Sequence, residues 1–147
     1  MKSALLERLK NQLDTRMQGA LGAMQSAQSS ANEETKSSAG DKYETARAMA
    51  QIERDRHAQL YDQIRQERAV LDRIDPDFHF QRVGLGALVR TTAGYFFLAV
   101  SVGLVEIDDK KVIVVSPQSP LGASLMGKQA GDSFLFQQKN CLIEALG

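Results

Sequence analysis

The sequence predicts an α+β protein with two domains. These are an antiparallel α-helical coiled-coil hairpin over residues 1–75 and a small antiparallel β-sheet domain with one short helix over residues 76–147. Up to Asp75 the chain has no proline and is rich in Ala, Gln, Arg and Glu, which favour helices. From Pro76 onward Val, Ile, Phe and Gly dominate. Because a proline disfavours helix at the residue before it, the boundary is predicted there.

Two stripes of residues at spacings of three and four predict the hairpin. The first stripe is Leu6, Leu9, Leu13, Met17, Ala20, Met24, Ala27 and Ala31. The second is Ala46, Ala50, Glu53, His57, Leu60, Ile64, Glu67, Leu71 and Ile74. Large apolar residues are concentrated at the N-terminal end of the first stripe and at the C-terminal end of the second. In an antiparallel hairpin these two ends lie side by side. The turn is predicted at Ser37-Ser38-Ala39-Gly40, and arms of about 30 residues predict a hairpin roughly 45 Å long.

Short runs of Val, Ile and Phe between turn residues predict five strands in the second half. The predicted strands cover residues 86–91, 94–100, 112–115, 133–136 and 141–143. A short helix is predicted between the third and fourth strands, within residues 119–128. Pro120 suits its first position and Gly127 its end.

Composition argues against several classes of protein. The 18 basic and 18 acidic residues balance, so no overall charge favours nucleic acid or a membrane surface. The single cysteine, Cys141, excludes an intramolecular disulfide and indicates a reducing compartment. Charged residues interrupt any apolar leader at the N-terminus, and the longest nearly apolar run, about 12 residues, is too short for a transmembrane helix. A soluble, cytoplasmic protein is expected.

The segment GDKYETARA, residues 40–48, occupies the predicted tip of the hairpin. An acidic residue followed by a glutamate three positions later is the ordinary chemistry of a helix start, and Asp41 and Glu44 fit that interpretation. The same spacing also puts both carboxylates on one face of a helix, where they could converge on one cation.

A second motif, SPLGASLMGKQAGD, covers residues 119–132. It resembles the C-terminal motif of the bacterial Gre transcript-cleavage factors, and its matching residues are Ser119, Pro120, Gly122, Gly127, Lys128, Gly131 and Asp132. The tip also resembles that family, which carries a Gly-Asp, a Glu three residues after the Asp, and then an alanine. Here these are Gly40, Asp41, Glu44 and Ala46. The sequence departs from the family pattern at Thr45, Arg47 and Ala48.

The resemblance implies an FKBP-like C-terminal domain and a role in transcription elongation. Gre factors bind RNA polymerase and insert the coiled coil into its secondary channel, where the tip carboxylates help the polymerase cleave backtracked RNA. Asp41 and Glu44 would then share the second Mg²⁺ of the polymerase and orient a water. The protein would not be an enzyme alone, would bind no cofactor alone, and would be a monomer with no membrane partner.

Arg47, Arg54 and Arg56 follow the tip and could contact the nascent RNA 3′ end or the polymerase. The alternative for each is a solvated helix face with local ion pairs such as Glu53–Arg56.

Two alternative functions remain open on the sequence alone. One is a Gre-like regulator or inhibitor that binds RNA polymerase without promoting cleavage. The other is a structural coiled-coil protein that dimerises through its first half, although residues 37–40 interrupt the seam that it would need.

Overall fold

The computed structural model describes the backbone of residues 1–37 and 41–147, and the side chains of these residues other than 31, 33–37 and 41–43. The fold is α+β. Two long helices, α1 (Lys2–Ser37) and α2 (Asp41–Asp72), are followed by strands β1 (Leu88–Thr91), β2 (Gly94–Leu98), β3 (Gly103–Ile107) and β4 (Lys110–Val115). Helix α3 (Pro120–Leu125) then precedes β5 (Ser133–Phe136) and β6 (Lys139–Leu146). The chain forms two compact units, Lys10–Ala69 on the one hand and Met1–Leu9 with Val70–Gly147 on the other.

Helices α1 and α2 pack together as the sequence predicts. In the unit Lys10–Ala69, the Arg54 guanidinium donates to Gln28 Oε1 at 2.9 Å and that of Arg68 donates to Asp14 Oδ1 at 2.9 Å. Both pairs are centred on position 41, so the helices run antiparallel.

Burial follows the predicted stripes, with one exception. Leu13, Ala20 and Ile64 are buried, whereas Leu60 is 41 % exposed although its spacing predicts a seam position.

The sheet has six strands in the order β3-β4-β2-β1-β6-β5. The prediction of five strands was wrong because β3 was missed: residues 103–107 directly follow the apolar run of β2. The prediction of an antiparallel sheet was also wrong at one place, since β2 pairs with β4 in parallel. The β3–β4 hairpin explains this pair. It reverses the chain at the edge of the sheet, so that β4 returns beside β2 in the same direction as β2.

One face of the sheet carries α3 and an aromatic core. Phe96 packs edge-to-face against Phe134 and Phe136, with ring centroids 5.8 Å and 5.3 Å apart. Leu125 of α3 is fully buried in the same cluster. Such edge-to-face pairs contribute beyond the apolar area that they bury.

The other face is also buried along β2 and β4, where Phe97, Val112 and Val114 have almost no exposed area. The first turns of α1 belong to the same compact unit, and Leu5 and Leu9 are fully buried there. Both faces of the sheet are covered, so both sides of β2 are buried. The sequence of β2 is therefore a continuous apolar run and does not alternate between apolar and polar residues.

Lys2 is almost buried in this unit. Its ammonium donates to the Phe78 carbonyl oxygen at 2.6 Å and lies 5.0 Å from the centroid of the Phe80 ring. Burial lowers the pKa of Lys2, and the negative charges of Asp75 and Asp77 offset part of that effect.

This lowered pKa predicts a pH dependence. The folded protein binds the Lys2 proton less tightly than the unfolded chain does, so the free energy of unfolding should rise with pH between the folded pKa and the unfolded value of 10.5. The slope is at most about 1.4 kcal/mol per pH unit. Urea unfolding of Lys2→Met across this window should lack the rise that Lys139→Met, a control at an exposed lysine, retains. An unchanged rise in Lys2→Met would contradict this assignment.

Candidate functional site

The candidate site lies at the start of α2. This end of the hairpin is far along the sequence from both the first and the last residue. Helix α2 begins at Asp41, which confirms that a helix starts at this residue. Glu44 lies on the first turn and is exposed. The rise of an α-helix places Glu44 about 38 Å along α2 from Ala69, the last residue of its compact unit. An exposed carboxylate is therefore presented far along a narrow helical arm.

Part of the predicted site lies outside the described residues. Gly40 and the rest of the predicted turn, residues 38–40, fall there, as does the side chain of Asp41. The described part contributes Glu44, Thr45 and Ala46, of which the first two are exposed. The convergence of the Asp41 and Glu44 carboxylates on one cation thus stays a prediction from their spacing.

All three arginines beyond the tip make interactions, and those of Arg54 and Arg56 are with residues of the hairpin. Arg54 donates to Gln28 and, through Nε and Nη2, to Asp55 Oδ1 at 3.1 and 2.6 Å. Arg56 forms an ion pair with Glu53, which confirms the local pair expected from their spacing. Arg47 is exposed and makes an interaction of its own. Any contact of these side chains with RNA or polymerase would have to compete with these partners.

The donor set at the tip suits Mg²⁺ in one respect. Magnesium prefers carboxylate oxygens, and proteins often supply only one or two of them beside phosphate oxygens and waters. The exposed carboxylate of Glu44 can serve as such a ligand without breaking an internal contact that the structure records. Within residues 1–37 and 41–147, as far as their side chains are described, no group of three or more His, Cys, Asp or Glu could hold a metal ion.

The C-terminal motif builds a capped helix. Ser119 is the N-cap of α3: its Oγ accepts from the Gly122 N–H at 3.1 Å and donates to the Ser116 carbonyl at 2.7 Å. Pro120 occupies the first turn, where its missing N–H costs nothing. Gly127 has φ +81° just after the helix, a conformation that favours glycine at a helix end.

The rest of the motif leads the chain into the last hairpin. The Gly127 N–H donates to the Val83 carbonyl, and the Val83 N–H donates to the Lys128 carbonyl. Asp132 Oδ2 accepts from the Gln129 N–H at 2.8 Å, and Gly131 has φ +93°. The backbone and short side chains of residues 119–132 are thus used for folding, which assigns them a structural role.

Sequence reasoning missed why Gly122 is a glycine. A Cβ there would lie 1.9 Å from the Ser116 carbonyl oxygen, because the backbone before α3 passes directly against the helix. The signal was present as a glycine in the middle of a short helix, where alanine is the better helix former. Only the three-dimensional path of residues 116–119 shows why a glycine is needed at this position.

No family model matches the chain, and no curated protein matches it closely enough to count as a relative. No helix in the described parts of the chain is long and apolar enough to cross a membrane.

Proposed function

We propose that this protein is a Gre-type transcription elongation factor. In this proposal it binds RNA polymerase in the cytoplasm, inserts the hairpin into the secondary channel and stimulates cleavage of backtracked RNA. The observation that carries the proposal is the exposed carboxylate of Glu44 on the first turn of α2, in a pair of antiparallel helices. A narrow arm with a carboxylate at its end suits delivery of an oxygen ligand into a confined active centre.

The fold of the second half of the chain also supports the proposal. We infer an FKBP-like domain from a six-stranded mixed sheet with one short helix on one face. The capped helix and glycine turns of residues 119–132 are what the resemblance to Gre factors leads one to expect. Fold alone carries no isomerase activity with it, so the function rests on the tip.

The chemistry at the tip would be assistance to the polymerase. The magnesium ions of the polymerase stabilise the attacking and leaving oxygens of the phosphodiester when bound. Asp41 and Glu44 of this chain would share the second ion, and one of them would hold the attacking water in position. Neither carboxylate is expected to hold Mg²⁺ firmly without the polymerase, because two ligands leave most of the coordination shell to water.

The test is a cleavage assay on stalled elongation complexes of the cognate polymerase. Wild-type protein should shorten the transcripts, and Glu44→Gln or Asp41→Asn should lower the rate about 100-fold, as loss of a water-activating group does. The matched control is Glu144→Gln, which removes an exposed carboxylate on β6 and should leave the rate unchanged. Equal cleavage by wild type and both tip variants would refute the site assignment.

Binding to polymerase, measured separately by fluorescence anisotropy, distinguishes the alternatives. Tip variants that bind but do not cleave support the proposal. A wild-type protein that binds without raising cleavage above the intrinsic rate would be a channel-binding regulator, which the departures at Thr45, Arg47 and Ala48 from the Gre pattern favour. A wild-type protein that does not bind polymerase would refute both and leave the structural coiled-coil protein.

A further inference from the structure

The first turns of α2 carry a stripe of uncharged side chains that the helix pair leaves exposed. Thr45, Ala48, Met49 and Ile52 recur at the spacing i, i+3, i+4, i+7, which places them on one side of the helix. All four are exposed, and the two large apolar members, Met49 and Ile52, are 64 % and 62 % exposed. We call these four residues the tip stripe.

The tip stripe is distinct from the predicted seam. Ala46 and Ala50, each one position after a stripe residue, occupy predicted seam positions and are half-buried. One residue turns an α-helix by about 100°, so the seam and the tip stripe lie on different sides of α2. The packing of the two helices therefore does not account for the apolar side chains of Met49 and Ile52.

The chemistry of the tip stripe suits a protein surface better than a nucleic acid. No residue of the stripe is charged, whereas nucleic-acid binding depends on basic side chains at the phosphates. Arg47 and Arg54 lie on the opposite flank of α2 by helical phase. The spacing i, i+3, i+4, i+7 is the pattern with which a helix places apolar residues in a hydrophobic groove of another protein. The tip stripe is therefore suited to an apolar groove.

We propose that Met49 and Ile52 seat in an apolar groove on the channel wall of RNA polymerase, an inference that rests on the proposed function. The rise of an α-helix places these two residues about 7.5 Å and 12 Å from Glu44 along α2. If the Glu44 carboxylate reaches the active centre of the polymerase, both side chains lie within the channel and are covered by its wall. Their burial there removes two large apolar side chains from water, which favours binding.

The tip stripe and Glu44 have separate tasks in this proposal. Met49 and Ile52 carry no group that exchanges a proton and no oxygen that Mg²⁺ would take as a ligand, so they contribute to affinity. Glu44 supplies a carboxylate oxygen and contributes to the rate of cleavage. Substitutions in the stripe should therefore change the Kd for polymerase, and substitution of Glu44 should change the rate at saturation.

The test is the Kd of the full chain for the cognate core polymerase, measured by fluorescence anisotropy. Met49→Gln and Ile52→Gln preserve helix propensity and remove apolar area. Each should raise the Kd about tenfold, the effect of losing the burial of the exposed part of such a side chain. Because ions do not screen apolar burial, this ratio should be the same at about 0.1 M and about 0.5 M salt. Ile52→Leu keeps the apolar area and should bind like wild type.

The matched control is Gln51→Ala, which changes an exposed residue at the same depth along the arm but outside the tip stripe. It should leave the Kd unchanged. Circular dichroism checks that every variant keeps its helices, and folding should not suffer because all the substituted side chains are exposed. In the cleavage assay with saturating factor, Ile52→Gln should reach a rate within about threefold of wild type, whereas Glu44→Gln should not.

Equal Kd values for wild type, Met49→Gln and Ile52→Gln would overturn this proposal and leave the proposed function intact, as would equal weakening by Gln51→Ala. A loss of affinity only when backtracked RNA is present would assign the tip stripe to RNA, and a wild-type dimer that Ile52→Gln dissociates would assign it to a second copy. Both results overturn the proposal. A wild-type protein that binds without cleaving would refute the proposed function alone, because the Kd test still applies, and one that does not bind would refute both.

Discussion

Replacing Gly122 with alanine is expected to lower the free energy of unfolding by about 3 kcal/mol, the upper range for overpacking in a rigid site. The added Cβ would lie 1.9 Å from the Ser116 carbonyl oxygen and 2.8 Å from its carbon. Both atoms belong to the backbone, so no side chain can rotate away. Alanine would gain about 1 kcal/mol of helix propensity at this position, and the clash outweighs that gain.

Chemical denaturation followed by circular dichroism measures this change. The matched control is Gly22→Ala, which makes the same substitution in α1, where the added Cβ meets nothing within 4 Å. There the propensity term acts alone, and the free energy of unfolding should rise by about 0.5–1 kcal/mol. If Gly122→Ala were as stable as wild type, the close approach of residues 116 and 122 would be wrong.

The hairpin could be predicted because its information is periodic. Residues three and four apart share one side of a helix, so the stripes through Leu13 and Ile64 identified the buried side without any knowledge of the partner helix. Leu60 shows where that reasoning ends. Spacing assigned it to the seam, yet its side chain is 41 % exposed.

The sheet was predicted less well because its pairing is non-local. The strands of the last hairpin were predicted at residues 133–136 and 141–143, but β6 begins earlier, because the turn is only Gln137-Gln138, two residues at positive φ. Strand β3 was missed because its sequence does not alternate apolar with polar residues: Leu104 and Val105 are both apolar, although only Val105 is buried. The parallel pairing of β2 with β4 follows from the position of β3 at the sheet edge, which no local pattern in the sequence states.

The sequence predicted where the candidate site lies. It predicted only some of the contacts that the residues near the site make. The spacing of Asp41 and Glu44 located an acidic first turn, and α2 does begin at Asp41. Of the ion pairs that the following arginines form, the one between Glu53 and Arg56 was predicted from their spacing. The bond from Arg54 to Gln28 joins two helices, and predicting it would have required the register between them.

Replacing Glu67 with leucine is expected to raise the free energy of unfolding by about 2 kcal/mol. Glu67 continues the seam spacing after Ile64, and its Oε2 atom is buried with no hydrogen-bond partner in the described part of the chain. A buried polar atom without a partner costs about 1–3 kcal/mol, and a leucine on the seam adds apolar burial. The gain should appear as a higher midpoint of denaturation with an unchanged m-value.

Glu53→Leu separates the burial effect from any general benefit of removing a charge. Glu53 occupies an equivalent seam position, but its side chain is 47 % exposed, forms an ion pair with Arg56 and lies 3.4 Å from His57 Nε2. Leucine there would lose these contacts and bury little area, so stability should stay within about 0.5 kcal/mol of wild type. Equal stabilisation by both substitutions would mean that seam position alone, and not the unpartnered Glu67 oxygen, governs the effect.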